Sequence, residues 1–254
     1  MGREPIAVVI VVGTELLKGI VIDTNSHWLA DKLTSLGIEV KRIIVVPDSV
    51  EDIEEVVRRS IELADIVLIT GGLGFTEDDV TLQGVAKALS IDLESNREAL
   101  EMIRSRAGSL DHTRLVKAAF ISKGGNPLPN DVGISPGVFI KTNNKYIIVM
   151  PGVPVEMETM FQKHVEPILI EICGRISKTI TVITGRSIEA EVDERIKRLR
   201  LKYPMAYFKT HVEMPVRISV TITGRNEEEI NDLFIEKIVE DLGNALIVRE
   251  NVTK

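Results

Sequence analysis

Cysteine is almost absent, with Cys173 alone among 254 residues. A single thiol excludes an intrachain disulfide framework and a thiolate zinc site. Aromatic residues are only 4% of the chain, and the formal net charge is -7. Sequence-independent nucleic-acid binding needs a basic surface and stacking platforms, so no nucleic-acid partner is expected. No apolar run reaches the length of a membrane span, and the first one is too short for a signal peptide. No membrane partner is expected either, and the expected location is the cytoplasm. His27, His112, His164 and His211 are scattered without H-E-x-x-H spacing and do not suggest a histidine metal centre. The composition that remains is that of an ordinary globular chain, long enough for an α/β core and a second small domain.

The sequence is organised around residues 64–81. Ile66, Val67, Leu68 and Ile69 read as a buried strand, which passes at Thr70 into a loop with glycine at 71, 72 and 74. Leu82, Val85, Ala86 and Leu89 follow at helical spacing. Strand, glycine loop and helix together present backbone N–H groups to a phosphate. The loop is neither a Walker A nor a dinucleotide fingerprint, because Glu77 stands where the last glycine of G-x-G-x-x-G belongs. Instead Glu77, Asp78 and Asp79 make it acidic.

Upstream, strands are predicted at 6–12 and 38–46. The helix after the first carries Trp28, Leu29, Leu33 and Leu36, with Asp23 or Thr24 as its cap and Gly37 at its end. The next carries Ile53, Val56, Val57 and Ile61 after a Pro47-Asp48-Ser49 turn. This βαβαβ order predicts a three-layer α/β/α domain around a mostly parallel, doubly wound sheet. Downstream, helices are predicted at 96–106 and 113–119, then a long turn-rich loop at 122–137. Strands at 138–141 and 146–150 flank a Thr142-Asn143-Asn144-Lys145 hairpin. One amphipathic helix then opens at Pro151-Gly152-Val153-Pro154, with Met157, Met160, Phe161, Val165, Ile168, Leu169 and Ile172 on one face. The remainder reads β 179–184, α 188–200, β 205–210, β 216–223, α 227–242, β 245–248, a split βαβ or ferredoxin-like α+β module. The predicted domains are 1–174 and 175–254.

Three stretches connect strands to helices: 13–25, 71–79 and 151–156. In an open parallel sheet the carboxyl ends of the strands share one edge, so all three can meet in one cleft. A plainer reading has the glycines turning the chain and the acids capping helices, a stabilisation of about 0.3–1 kcal/mol each for Asp78 and Asp79. Three such junctions on one rim favour a ligand. Candidate ligand-binding residues are Gly13, Thr14, Glu15, Asp23, Gly71, Gly72, Gly74, Thr76, Pro151, Gly152 and Glu156. Acids outnumber Lys18 on this rim, so a phosphorylated ligand needs a divalent cation, of which Mg²⁺ is the expected one. Asp78 and Asp79 are the candidate metal ligands and catalytic carboxylates. Being adjacent at a helix start, they point in different directions, and one of them could serve only the helix dipole. Gly133-Ile134-Ser135-Pro136-Gly137 matches G-x-S-x-G, but a strand follows it and Pro136 has no N–H for an oxyanion, which argues against a serine hydrolase.

Six motifs stand in one order: Gly13-Thr14-Glu15-Leu16-Leu17-Lys18-Gly19, Asp23-Thr24-Asn25, Thr70-Gly71-Gly72-Leu73-Gly74, Asp78-Asp79-Val80-Thr81, Asn130-x-x-Gly133-x-x-Pro136-Gly137 and Pro151-Gly152-Val153-Pro154-x-Glu156-Met157. Over about the first 170 residues the chain resembles the N-terminal region of the CinA family, within the molybdopterin-binding superfamily of MoaB and MogA. The C-terminal module also resembles the small domain that follows in CinA proteins. The resemblance implies a ligand site at the glycine loop and its following aspartate. It also implies either metal-dependent hydrolysis of an ADP-ribose diphosphate or molybdopterin as the ligand of an adenylylation step, and a homo-oligomer. A non-catalytic nucleotide-binding module is the third possibility. Phe75 stands where the family more often has proline, and Thr14 replaces a common aspartate. The resemblance does not extend to the nicotinamide mononucleotide deamidase domain of full-length CinA proteins, so that activity is not carried over.

Overall fold

The computed structural model describes residues 5–108, 119–174, 176–183, 189–204, 206–211, 216–224 and 228–242. The chain divides into two compact units, Met1–Leu33 with Ile38–Ile172, and Thr34–Gly37 with Cys173–Lys254.

The first unit is built on β1 (Ile6–Val12), β2 (Glu39–Val46), β3 (Ile66–Thr70), β6 (Asn126–Leu128), β7 (Gly137–Thr142) and β8 (Lys145–Met150), in the order β2-β1-β3-β8-β7-β6. β1 pairs in parallel with β2 and β3, and β3 with β8, while β7 and β6 are added antiparallel. Continuous β-branched runs form the centre because both of its faces are covered. Val8, Ile10 and Val12 pack with Ile53, Val57 and Val85 in one core. Ala7, Val9 and Val11 alternate with them and are equally buried, on the opposite face. The result is the expected three-layer α/β/α architecture. Helix Val50–Leu63 begins at Ser49, whose hydroxyl accepts the Asp52 N–H at 3.3 Å. Asn143 and Asn144 both take positive φ, 46° and 60°, as a two-residue hairpin turn requires.

Several expectations need correction. The presumed loop at 122–137 contains β6, whose Pro127 pairs with Val138. Proline is tolerated there because β6 is an edge strand. A second small sheet, β4 (Leu93–Ser95) with β5 (Phe120–Ser122), was not foreseen. The helix after the glycine loop starts at Thr81, so Asp78 and Asp79 lie in the loop and not in a first turn. The single helix expected after Pro151 is Pro154–Met160 and Glu166–Cys173, joined by a π-helical turn at Phe161–Val165. Most of the helix expected at 113–119 lies outside the described residues.

The second unit holds β9 (Ile176–Ile183), β10 (Ala206–His211) and β11 (Arg217–Gly224), all antiparallel in the order β10-β11-β9. Helices Glu189–Lys202 and Asp232–Leu242 bury Val192, Ile196, Leu199, Ile235 and Ile238 with Phe208, Val220 and Ile222. This is the βαββα part of the expected split βαβ module, and the strand expected at 245–248 lies outside the described residues. Asp241 pairs with Lys202 at 2.6 Å and accepts the Tyr203 hydroxyl. The Lys202 ammonium, helped by that hydroxyl, holds the Asp241 carboxyl below the usual carboxylate range. No helix among the described residues is long and apolar enough to cross a membrane.

Candidate functional site

After β1 the chain moves outward to β2, then returns to the other side of β1 as β3. The carboxyl ends of β1 and β3 therefore flank a topological switch point, where open α/β sheets bind ligands. A cavity of about 770 Å³ opens there. Val12, Glu15 and Asp48 line it from the side of β1 and β2. The glycine loop contributes residues from Gly71 to Thr76 with Asp78 and Asp79, and the β8 exit contributes Pro151, Gly152, Val153 and Glu156. Gly133, Ile134 and Ser135 close the far wall.

The glycine loop passes so close to β1 that a Cβ on Gly71 would lie 2.1 Å from the Val12 carbonyl oxygen, and φ there is +107°. Gly72, at φ +65°, leaves the same kind of space for the Thr81 hydroxyl, which donates to the Gly71 carbonyl at 2.8 Å. The expected cradle of three glycine amides is narrower than the sequence suggests. The Gly71 N–H donates to the Met150 carbonyl at 3.1 Å, and the Gly74 N–H to Asp79 Oδ1 at 2.7 Å. The N–H groups of Gly72 and Leu73 take no hydrogen bond among the described residues.

The Thr70 hydroxyl ties the strand ends together. It is fully buried, donates to the Pro151 carbonyl at 2.7 Å and accepts from Asn25 Nδ2 at 3.2 Å. Asn25 Nδ2 also reaches the Gly152 carbonyl at 2.8 Å, which fixes the amide orientation. A Cβ on Gly152 would sit 3.1 Å from the Gly71 Cα, so glycine lets the two junctions touch.

The acids divide into two kinds. Asp79 is a staple: its carboxylate accepts the Gly74 N–H, the Thr76 N–H and the Thr76 hydroxyl, each at 2.7 Å. Thr76 accordingly serves the loop and does not cap the helix. One lone pair of Asp79 Oδ1 is left over. Asp48 exchanges hydrogen bonds with Thr14, accepting its N–H at 2.8 Å and donating its own N–H to the Thr14 hydroxyl at 3.1 Å. Glu156 accepts from Asn130 Nδ2 at 2.7 Å. The carboxylates of Asp78 and Glu15, both exposed, take no hydrogen bond among the described residues. Among the described residues no group of three or more acids, histidines or cysteines could hold a metal alone.

Of the residues expected from sequence, Glu15, Gly71, Gly72, Gly74, Thr76, Asp78, Asp79, Pro151, Gly152 and Glu156 do meet around this cavity. Gly13, Thr14 and Asp23 are not among its lining residues. The Gly13 N–H continues the β1–β2 pairing to the Val46 carbonyl at 3.0 Å. Asp23 accepts the Ser26 N–H at 2.9 Å and the Ser26 hydroxyl, capping helix Asn25–Ser35. Asp48, Asn130 and Ile134 were missed, although Asp48 stood in a turn signal and Asn130 in a quoted motif. Ser135 lines the cavity without any nucleophile elbow, since β7 follows it.

A family described as "Probable molybdopterin binding domain" matches residues 8–171. A protein of Pyrobaculum calidifontis is 40% identical over 249 residues, spanning 93% of this chain and 95% of its own. One from Aeropyrum pernix is 39% identical over 264 residues, spanning 97% and 98%. Among solved structures, CinA from Thermoplasma acidophilum, a protein described as of unknown function, is 37% identical with a TM-score of 0.63, covering 66% of this chain and 99% of that one. With these matches falling on the sheet and the loops that build the cavity, the chain belongs to the molybdopterin-binding-domain family and is CinA-like.

Proposed function

We propose that the chain binds a phosphorylated nucleotide or pterin in this cavity and, with a divalent cation, hydrolyses its diphosphate, ADP-ribose being the substrate to test. The observation that carries the reading is the cavity's lining among the described residues: five carboxylates (Glu15, Asp48, Asp78, Asp79, Glu156), no lysine or arginine, and the amides of Gly72 and Leu73 beside them. At roughly 4 Å and an effective dielectric of about 20, each carboxylate would repel a phosphate charge by about 4 kcal/mol. A bare diphosphate is therefore unwelcome. The donors are all oxygen, which suits Mg²⁺, and no protein cage is needed because that ion is held by one or two carboxylates plus the substrate's phosphates. Asp78 and Asp79 would hold it, with Glu15 and Glu156 as further acidic wall. The bound cation would supply charge neutralisation and polarisation of a phosphoryl oxygen. The chain's own part is to orient the diphosphate on the Gly72 and Leu73 amides and to seat the base or pterin against Phe75 and Ile134.

In the reaction water attacks one phosphorus, the P–O–P bridge breaks, and ADP-ribose becomes AMP and ribose 5-phosphate. The test is release of both products in Mg²⁺, lost in Asp78→Asn or in Asp79→Asn. Full hydrolysis in both variants would overturn the metal assignment. The second reading is molybdopterin binding, favoured by the family match at residues 8–171. Tight molybdopterin binding without turnover of nucleotide diphosphates would select it. The exposed run Ile20, Val21 and Ile22 is an apolar surface that a second copy could cover. A homo-oligomer in the cytoplasm completes the proposal, with sedimentation and cell fractionation as its checks.

A further inference from the structure

We infer that Asn130 is a positioning residue that presents the Glu156 carboxylate to the ligand in one fixed orientation; this rests on the reading of the cavity as a site for a cation-bridged diphosphate. Asn130 is only 4% exposed, and its carboxamide is fully used. The oxygen accepts the N–H groups of Gly133 at 2.7 Å and Val132 at 3.2 Å. The nitrogen donates to the Ser135 carbonyl at 2.9 Å and to Glu156 Oε2 at 2.7 Å. Turning the amide over would set oxygen against two acceptors and nitrogen against two donors, so the assignment is unambiguous.

The carboxylate is held from a second side by Gly133. A Cβ there would lie 2.1 Å from Glu156 Oε2, so the acid rests against a bare Cα. The 130–135 turn is in turn fixed from outside through Asp131. Arg106 donates to the Asp131 carbonyl at 2.6 Å, and the Asp131 carboxylate meets Lys163 at 2.9 Å and His164 at 3.5 Å. Glu156 itself lies in the first turn of helix Pro154–Met160, so both ends of its side chain are fixed. Its Oε1 takes no hydrogen bond among the described residues and is the oxygen left for a ligand.

A mere turn-former would need the Asn130 oxygen and the one amide hydrogen that reaches the Ser135 carbonyl. The other amide hydrogen goes to a residue 26 positions away, on another element, and contributes nothing to the turn. It does spare the ligand the ordering of a three-torsion side chain, the usual work of groups behind a metal ligand.

The test is a double-mutant cycle between positions 130 and 156, read in two ways. Asn130→Asp keeps the shape and the oxygen that shapes the turn, and removes the nitrogen that donates to Glu156 and to the Ser135 carbonyl. The Glu156→Ala background retains the Ser135 partner and so isolates the share owed to Glu156. By calorimetry with ADP-ribose and Mg²⁺, Asn130→Asp should weaken binding at least about tenfold in the native background and less than about twofold beside Glu156→Ala. Gly133→Ala, which displaces the same carboxylate from the other side, should reproduce the loss. In urea, without ligand, Asn130→Ala and Glu156→Ala should be coupled by about tenfold in the unfolding constant. Equal losses in both backgrounds, or no coupling in urea, would overturn the assignment. If the wild-type chain bound no Mg²⁺–ADP-ribose, the proposed function would fall together with the presentation of Glu156 to it. The urea cycle would still decide separately whether Asn130 holds that side chain.

Discussion

Thr70→Val removes one oxygen and keeps the shape, so it isolates the bond that joins the ends of β3 and β8. The hydroxyl is fully buried and makes two hydrogen bonds, to the Pro151 carbonyl and from Asn25 Nδ2. No cavity term arises, because valine fills the same space. Each lost bond costs about 1 kcal/mol net, and a buried acceptor left unpaired costs about 1–3 kcal/mol. Asn25 Nδ2 keeps the Gly152 carbonyl, so the full penalty falls on Pro151 alone. The expected destabilisation is about 2 kcal/mol. With a urea slope of about 2 kcal/mol per molar, the midpoint should move down by about 1 M. Trp28 is the only tryptophan and meets the Phe161 ring edge-on at 5.3 Å, so its fluorescence reports unfolding of this unit directly. A midpoint unchanged within about 0.2 M at the same slope would show that the hydroxyl does not tie the strand ends.

Other substitutions probe the loop and the second unit. Gly71→Ala places a methyl 2.1 Å from the Val12 carbonyl at a φ of +107° and should cost about 3 kcal/mol or more in the same urea assay. Asp79→Ala should free the Gly74 and Thr76 amides, seen as at least about tenfold faster hydrogen exchange at those two positions. Asp78→Asn should leave stability within about 0.5 kcal/mol, because the carboxylate is exposed and takes no protein hydrogen bond. The lowered Asp241 pKa favours the folded state above the ordinary carboxylate range, and that contribution is lost as the pH falls through the depressed value. Asp241→Asn should therefore flatten the acid limb of the second unit's stability profile.

The central sheet was legible because burial on both faces leaves a plain record. β1 is Ile and Val apart from Ala7, and β3 is Ile, Val and Leu up to its buried last residue, Thr70, so no polar residue needs to face water. The Asn143–Asn144 turn was legible because few residues accept positive φ. Convergence of the glycine loop and the β8 exit followed from the shared carboxyl edge of a parallel sheet. β6 was not legible, since Gly124, Gly125 and Pro127 spell a loop and only its edge position makes a strand possible. Nor was the division of the acids: sequence places Asp78 and Asp79 side by side, but which one turns back onto Gly74 and Thr76 is a matter of side-chain direction. Asn130 and Asp48 escaped notice because their partners, Glu156 and Thr14, lie 26 and 34 residues away on other elements. The π-turn at Phe161–Val165 left the apolar periodicity almost intact, so one continuous helix looked adequate.

Cation dependence of ligand binding tests the central claim most directly. Calorimetric titration of ADP-ribose into the full chain should show binding in Mg²⁺ that weakens by more than about tenfold once EDTA removes the ion, because the carboxylates then face unscreened phosphates. Equal affinity with and without the cation would contradict the account.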